Sequence, residues 1–261
     1  MKKYRLIITG ATGGIGKALL KQLAPHLEGS VICGLEENAL VTIKTELNLK
    51  NCWIVSGRLE NPITQKNIYK AAQNLKKPNL LINNAGANEF GYFHQMNDVG
   101  INQVIGSNLI SPMQLTNKLI PLFNHDQESQ IINTGSIFGY LGFPGFVAYS
   151  SAKFGLRGFS QALRRELGDT NIRVRYFAPR ATKTNFNDSR INKMNEALNT
   201  TLDDPNVVAL AFHNFIGQTK WQEVVGFTES IFVFINKILP NIVDKALIKK
   251  LPIIKQFLGK D

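Results

Sequence analysis

Three side chains between positions 136 and 153 have the types and the spacing that carbonyl chemistry requires. Tyr149 and Lys153 are four positions apart, so on a helix they share one face. The apolar spacing predicts such a helix over about residues 146–167, and Ser136 lies at the end of the preceding predicted strand. A hydroxyl, a phenol and an ammonium group in these places can hold a carbonyl oxygen and give it a proton. The rest of the chain is then expected to deliver a hydride to that carbonyl.

The protonation state of Tyr149 decides whether it can take part in this chemistry. A free phenol has a pKa of about 10 and exchanges protons poorly at neutral pH. Lys153 on the same face and the nearby helix N-terminus both favour the phenolate, so we expect them to lower that pKa. A donor such as the Ser136 hydroxyl would stabilise the negative charge that develops on the carbonyl oxygen.

A glycine-rich segment near the N-terminus is typical of a dinucleotide-binding turn. The apolar run of residues 5–9 leads into glycine-rich residues 10–16, and apolar residues at helical spacing follow. A strand, a glycine-rich turn and a helix in this order bring close backbone and a helix N-terminus to a pyrophosphate. The alternative is a plain tight turn without a ligand.

The ends of the second and third predicted strands bear on which cofactor would bind. Neither an acid nor an arginine ends the second strand, residues 30–34, although an acid there favours a free ribose hydroxyl and an arginine a 2′-phosphate. Glu36 is a candidate for the ribose hydroxyl or, equally, an acidic first-turn residue of the next helix. Arg58 follows the third strand, residues 52–55, where it would stack on adenine or pair with a 2′-phosphate.

Apolar runs without alternation, separated by helical segments, predict a parallel sheet covered on both faces. The helix predicted over residues 97–123 is interrupted by Pro112 and contains Asn108, a poor helix former kept in a mid-helix position. The aromatic loop over residues 87–96 either walls a substrate pocket or packs in the core. The predicted strands are residues 5–9, 30–34, 52–55, 80–86, 130–134, 173–178 and 222–225.

The composition fits one α/β domain in the cytoplasm. The chain has 261 residues, 44% of them apolar, which suffices for one large core. No window approaches the ~20 apolar residues of a membrane-spanning helix. Residues 1–4 lead directly into a strand rather than into a signal peptide. Cys33 and Cys52 are expected to be buried, unpaired thiols, and no Cys/His cluster has the spacing of a metal site.

The formal net charge of +11 is unevenly distributed. Residues 231–261 contain six lysines and two aspartates, so +4 of that charge lies in an apolar C-terminal segment. Basic amphipathic helices suit peripheral contact with anionic membranes, and they suit core capping or subunit contacts as well. Nucleic-acid binding is disfavoured because no aromatic residues interleave with the positive charge.

Taken together, the motifs resemble the short-chain dehydrogenase/reductase family in its single-domain form, over residues 4–184. Residues 9–16 match the family's cofactor motif, and residues 83–86 match its sheet-stabilising Asn-Asn-Ala-Gly motif. Four residues, Asn108, Ser136, Tyr149 and Lys153, fall in order on its catalytic tetrad. The resemblance implies a Rossmann-type doubly wound sheet of seven parallel strands in the order 3-2-1-4-5-6-7, with helices on both faces.

The resemblance also implies a role for each of these residues. Tyr149 would supply the proton, Ser136 would hold the substrate oxygen, and Lys153 would touch the nicotinamide ribose. Asn108 would anchor a water that links Lys153 to solvent. The residues expected to contact the cofactor are Gly10, Thr12, Gly13, Gly14, Ile15, Gly16, Leu35, Glu36, Arg58, Leu59, Asn84, Ala85, Gly86, Tyr149, Lys153, Pro179, Thr182 and Thr184.

Three departures from the family pattern concern the cofactor-binding residues. Arg180 replaces the usual glycine after Pro179, Leu35 replaces the arginine that commonly marks NADP, and Arg58 replaces the aspartate that commonly meets adenine. We favour NADP(H), because Arg58 and the basic composition suit an extra phosphate, and we keep NAD(H) as the alternative. The basic C-terminal extension leaves a homodimer and a homotetramer both open, with contacts through the helices around Asn108 and Tyr149.

We expect residues 1–230 to form the dinucleotide-binding domain, with a substrate lid near residues 185–215, and residues 231–261 to form an extension. The expected reaction interconverts a carbonyl and a secondary alcohol, in the reducing direction, on a hydrophobic ketone or a 3-oxoacyl-type substrate. The alternative is a non-catalytic dinucleotide-binding regulatory or membrane-associated protein on the same fold. A serine hydrolase is disfavoured because the residues around Ser136 lack the Gly-x-Ser-x-Gly spacing.

Overall fold

The computed structural model describes residues 3–259; the ends of the predicted domain and of the predicted extension, residues 1, 2, 260 and 261, lie outside them. Seven parallel strands form one sheet in the order β3-β2-β1-β4-β5-β6-β7, which confirms the predicted doubly wound fold. The strands are β1 Tyr4–Ile8, β2 Leu27–Gly34, β3 Cys52–Ser56, β4 Leu80–Asn83, β5 Ser129–Thr134, β6 Ile172–Ala178 and β7 Gln222–Val224.

Helices cover both faces of this sheet. Those in residues 3–259 are α1 Gly14–Leu23, α2 Glu37–Glu46, α3 Pro62–Gln73, α4 Asp98–Ile105, α5 Ser111–Leu119, α6 Val147–Glu166, α7 Ser189–Ala197, α8 Pro205–Ile216, α9 Phe227–Ile238 and α10 Pro240–Leu258.

The sheet separates two hydrophobic cores. Leu6 and Ile8 of β1 belong to the core that also contains side chains of α1 and α8. Ile7, between them, belongs to the core on the other face, with Ile68 of α3 and Leu115 of α5. Successive side chains of a strand point to opposite faces, so a strand buried on both faces reads as an unbroken apolar run. This is the physical reason that the central strands could be predicted without any alternation.

The segment around Asn108 differs from the prediction. The expected interruption at Pro112 does not occur, because that proline lies in the first turn of α5, where the missing N–H costs little. The helical path instead widens into a π-helical turn over Gly106–Ile110, where the N–H of Ser111 donates to Gly106 O. Such turns are frequent at functional sites. Here the π turn contains Asn108.

The predicted lid and the predicted extension are both helical. The lid region contains α7 and α8, and α9 and α10 make up most of the C-terminal segment. Near the end of α10, Ile254 and Leu258 are buried in one cluster with Phe90, Phe146 and Tyr149. The C-terminal helix α10 therefore packs in the same hydrophobic cluster as Tyr149, one of the predicted catalytic residues. Within residues 3–259, none of the helices combines the length and the apolar character needed to cross a membrane.

Candidate active site

The loop after β5 and the first turns of α6 bring Ser136, Tyr149 and Lys153 together. Ser136 caps a single 3-10 turn over Ile137–Gly139, where its Oγ accepts a hydrogen bond from the N–H of Phe138 at 3.1 Å. Its hydroxyl is also hydrogen-bonded to the Tyr149 phenol. Lys153 lies one turn further along α6, with Nζ 5.5 Å from the centre of the Tyr149 ring and 2.9 Å from the Thr134 carbonyl oxygen.

Tyr176, which no motif singled out, supports this arrangement from β6. Its side chain is fully buried, and its hydroxyl accepts from the N–H of Ser136 at 3.4 Å and donates to the Lys153 carbonyl at 3.3 Å. A Cβ at Gly135 or Gly139 would overlap the Tyr176 ring or hydroxyl. Gly135 and Gly139 therefore make room for the phenol whose hydroxyl accepts a hydrogen bond from the N–H of Ser136.

Burial shifts the pKa of both proton-transfer groups away from their charged forms. The pKa of Tyr149 is raised to about 12 by burial, and the hydrogen bond with Ser136 opposes that rise. The pKa of Lys153 is lowered to about 7 by burial. The predicted lowering of the Tyr149 pKa is therefore wrong for this structure, because desolvation of the buried phenolate is the largest influence on it. Tyr149 carries its proton across the physiological pH range.

Asn108 is held rigidly beside Lys153. Its Nδ2 donates to the carbonyl oxygens of Ala87, at 2.6 Å, and Val104, at 2.8 Å. Its Oδ1 is buried and has no hydrogen-bond partner within residues 3–259. A Cβ at Gly86 would lie 2.6 Å from that Oδ1 and 3.9 Å from Lys153 Nζ. Glycine thus keeps the space between the two side chains open, and an acceptor without a protein partner faces that space.

The turn after β1 has the features of a dinucleotide cradle. Gly10 has a φ of +66°, and a Cβ there would lie 2.8 Å from the backbone of Ala85. No side chain of the described residues caps α1 where it begins at Gly14, so its first N–H groups are available to phosphate oxygens. Thr9 Oγ1 accepts from the N–H groups of Asn84, at 3.0 Å, and Ala85, at 3.1 Å, which joins the two predicted motifs. These residues fit a pyrophosphate.

A single cleft of about 1370 Å³ joins this cradle to Ser136, Tyr149 and Lys153. Every residue predicted to act in catalysis or to contact the cofactor lines the cleft, with the exception of Glu36. Glu36 precedes α2 as its N-cap residue, and its side chain is exposed. Glu36 therefore lies one residue before the first turn that its alternative role requires, and Glu37 is the acidic residue of that turn.

The cations that line this part of the cleft are Arg58, which follows β3, and Lys17 and Lys21 of α1. The guanidinium of Arg58 is 3.7 Å from Glu60, too long for a hydrogen bond, so Arg58 keeps its donors for another partner. Lys17 of α1, which the sequence motifs did not single out, is held 3.0 Å from Glu46. Arg58 is therefore better able than Lys17 to bind a phosphate.

Aromatic rings form the wall of the cleft around Tyr149. Phe138 stacks on Phe143 with ring centres 4.9 Å apart, and Phe186 lies 5.9 Å from the Tyr149 ring. Phe138, Phe143 and Tyr149 lie between the end of β5 and the first turn of α6, and Phe186 lies just before α7. The spacing of these rings in the sequence follows neither the helical nor the strand period, so no sequence pattern predicts that they line one cleft.

The loop over residues 87–96 divides between its two predicted roles, because Ala87 and Asn88 line the cleft whereas Phe90 packs in the core. Phe90 is buried and packs against Phe146 with ring centres 4.9 Å apart. None of the three aromatic side chains of this loop, Phe90, Tyr92 and Phe93, lines the cleft. This loop packs behind the site, next to the end of α10.

Arg180, the departure after β6, is tied into an ionic network at the edge of the cleft. Its guanidinium meets the buried Asp203 through two hydrogen bonds, Nε to Oδ2 at 2.8 Å and Nη2 to Oδ1 at 2.6 Å. It also lies 3.4 Å from Glu229 of α9. The backbone bridge between Thr182 and Asp203 runs alongside. Arg180 therefore fastens the loop after β6 to both the start of α8 and the C-terminal helices.

Comparison with known proteins gives the same picture over most of the chain. The family model described as short chain dehydrogenase matches residues 5–195. Nodulation protein G of Rhizobium sp. (strain N33) is 32% identical over 197 residues, covering 74% of this chain and 79% of that protein. The 3-oxoacyl-[acyl-carrier-protein] reductase of Chlamydia muridarum is 32% identical over 177 residues, covering 66% of this chain and 71% of the reductase.

A solved structure has the same fold at low sequence identity. The crystal structure of a short chain dehydrogenase/reductase from Burkholderia phymatum in complex with NAD superposes with a TM-score of 0.82. It covers 92% of this chain and 95% of its own chain at 17% identity.

Proposed function

This chain belongs to the short chain dehydrogenase family and is an oxidoreductase acting on the CH–OH/C=O pair, and on that premise we propose that it reduces a hydrophobic ketone of the 3-oxoacyl type with NADPH. The observation that carries this proposal is the aromatic wall around Ser136 and Tyr149, in one cleft with the dinucleotide cradle. Relatives named as 3-oxoacyl-[acyl-carrier-protein] reductases support the substrate class.

In the proposed mechanism the protein supplies position and a proton. A bound nicotinamide dinucleotide provides the hydride. Ser136 donates a hydrogen bond to the substrate carbonyl oxygen and keeps its proton, and the phenol of Tyr149 transfers one proton to that oxygen as negative charge develops there. Lys153, with a pKa of about 7, can replace the proton of Tyr149 at neutral pH. A bridging water would donate a hydrogen bond to the unpartnered Oδ1 of Asn108 and accept one from the ammonium group of Lys153.

The groups that would hold the cofactor are distributed along the cleft. The pyrophosphate would meet the N–H groups at the start of α1, and Lys153 would meet the nicotinamide ribose. Thr182 and Thr184 line the cleft after β6, where contacts to the amide and a phosphate are expected. Arg58 would pair with the 2′-phosphate, which is our reason to prefer NADPH over NADH.

The raised pKa of Tyr149 keeps its phenol in the protonated form from which ketone reduction starts. Reduction of a ketone needs a protonated donor at the start of the reaction, whereas oxidation of an alcohol needs a base. A phenol with a pKa of about 12 is protonated at neutral pH, as this step requires, although the same rise makes it a weaker acid than an ordinary phenol.

We also propose that the enzyme acts in the cytoplasm as a homodimer or a homotetramer, with residues 1–230 as the catalytic domain. Cys33 and Cys52 are buried, free thiols, as expected, which suits a reducing compartment. The helices α4 to α6 expose apolar side chains of the kind that a subunit contact would cover. These are Val99, Ile110, Met113, Val147 and Phe154.

The substrate class is tested with 3-oxoacyl thioesters of increasing chain length and NADPH, following the loss of NADPH absorbance. Each methylene buried against the aromatic wall is worth about 0.8 kcal/mol, so kcat/KM is expected to rise about fourfold per methylene until the wall is covered. Small charged ketones serve as the control series. Turnover confined to small charged ketones would contradict the proposal.

A further inference from the structure

The C-terminal helices carry an apolar surface that nothing in residues 3–259 covers. Side chains at positions 227, 231, 234 and 238 of α9 are exposed phenylalanines and isoleucines, and their spacing places them on one side of the helix. No residue of α9 is buried. The exposed apolar side chains continue through the turn into α10. We call this set the C-terminal apolar surface: Phe227, Ile231, Phe234, Ile238, Leu239, Ile242 and Ile248.

Positive charge lies within this surface. Lys237 is next to Ile238, and Lys245 and Lys249 lie three positions before and one position after Ile248. All three lysines are exposed. Of the two acids on these helices, Glu229 is already engaged by Arg180 at 3.4 Å, which leaves Asp244. Ammonium groups beside exposed apolar side chains suit a surface that is itself both anionic and apolar.

We propose that the C-terminal apolar surface docks on an anionic lipid bilayer, with α9 lying in the plane of the interface. At 12 residues α9 is too short to span a bilayer and long enough to lie in its boundary. A second copy of the chain is a poorer occupant. An isologous contact would bring the lysines of both copies to one interface, and like charges there cost free energy.

The same two helices border the cleft. Phe232 of α9 is half-exposed beside the C-terminal apolar surface and also lines the cleft, together with Thr228. Leu247 and Lys250 of α10 line it as well. The mouth of the cleft therefore opens next to the docked face. If the substrate is hydrophobic, as in the proposed function on which this step rests, it passes from the lipid into the aromatic-walled cleft without crossing water.

Vesicle sedimentation of the full chain tests the docking, with neither substrate nor cofactor present. Phosphatidylcholine vesicles are compared with vesicles that also contain phosphatidylglycerol. Ile248, 64% exposed, and Ile63 of α3, 66% exposed, form a matched pair on different faces of the molecule. Phe234→Ser and Ile248→Ser are each expected to weaken binding to the anionic vesicles about tenfold, while Ile63→Ser leaves it unchanged. Added salt weakens binding, because the lysine contribution is screened.

Several results would overturn the docking proposal. These are an absence of wild-type binding to anionic vesicles, equal binding to neutral vesicles, or an equal loss in Ile63→Ser. A change of oligomeric state in Phe234→Ser without lipid would assign the surface to a second copy and overturn it too. All three side chains are largely exposed, so their replacement leaves the cores intact.

Turnover is measured separately, so that the two proposals fail independently. Phe234 is not among the residues that line the cleft, and Phe234→Ser is expected to reduce a water-soluble ketone as the wild type does. With a long-chain 3-oxoacyl substrate carried in anionic vesicles, its rate is expected to fall about tenfold, in step with its binding. Vesicle binding without turnover of any carbonyl would contradict the proposed function and leave the docking intact. Equal vesicle-borne turnover in Phe234→Ser and wild type would overturn entry from the lipid.

Discussion

At the level of single residues, the buried ammonium of Lys153 makes the stability of the protein depend on pH. Its pKa in the folded chain is about 7, below the ordinary 10.5 that it regains on unfolding. Between these values the unfolded chain binds more protons, so the free energy of unfolding rises with pH. From about pH 7 to about pH 9, this group adds about 2 kcal/mol of stability.

Lys153→Met is therefore expected to remove that rise. Urea unfolding of the cofactor-free protein at the two pH values gives the measurement. Lys66, which is exposed on α3, provides the control variant Lys66→Met. A wild-type pH dependence that persists in Lys153→Met would show that Lys153 is not the group responsible.

A second residue-scale prediction concerns the choice of cofactor. If Arg58 meets a 2′-phosphate, Arg58→Leu removes charge-assisted hydrogen bonds to that group only. NADPH affinity should then fall about tenfold, and NADH affinity should stay within about twofold. Titration followed by fluorescence transfer from Trp53 and Trp221 measures both constants. Arg165→Leu, at an exposed position outside the cleft, is the control. An equal loss for the two cofactors would remove Arg58 from the 2′-phosphate.

At the level of elements, the pair of Arg180 and Asp203 is expected to hold the loop after β6 in place. Both partners are largely buried, with side-chain exposures of 24% and 8%, and they meet through two hydrogen bonds. A double-mutant cycle with Arg180→Gln and Asp203→Asn should give a coupling energy of about 1–3 kcal/mol in unfolding.

The exposed pair of Lys77 and Asp126 is the comparison for that cycle. Its side chains are 59% and 77% exposed, so a coupling of about 0–1 kcal/mol is expected. Equal coupling energies in the two cycles would mean that the buried pair of Arg180 and Asp203 stabilises the fold no more than an exposed ion pair does. A loss of activity in Arg180→Gln with unchanged stability would also contradict a purely structural role.

The elements could be predicted from the sequence to the extent that their signals are local. The strands are continuous apolar runs, and Tyr149 and Lys153 lie four positions apart on a helix. Both the sheet and the pairing of these two side chains could therefore be predicted from the sequence. The π turn around Asn108 could not be predicted, because it depends on the N–H of Ser111 donating to the carbonyl five positions before it rather than four. The partners of Arg180 lie 23 and 49 positions away, and no motif connects them. The pKa of Tyr149 was predicted in the wrong direction, because burial depends on packing across the whole fold.

At the level of the whole molecule, the exposed apolar side chains of α4 to α6 predict self-association. Phe154 is 43% exposed, whereas Leu156 on the same helix is in the core. Phe154→Asp is expected to convert the oligomer to a monomer with unchanged helical content, as measured by light scattering and circular dichroism. Phe234→Asp, on the C-terminal apolar surface, is the control and should leave the assembly intact. A wild-type protein that is already monomeric would contradict the proposed contact.

The most direct measurement is the reduction of a long-chain 3-oxoacyl thioester by wild type and Tyr149→Phe, with both NADPH and product quantified. Wild type should form one 3-hydroxyacyl product for each NADPH consumed. Tyr149→Phe should bind NADPH normally and react about a thousandfold more slowly, because only the phenol oxygen is missing. Tyr69→Phe, on α3 and outside the cleft, should match wild type. Turnover by Tyr149→Phe at the wild-type rate, or none by wild type with any carbonyl compound, would contradict the assignment of the active site.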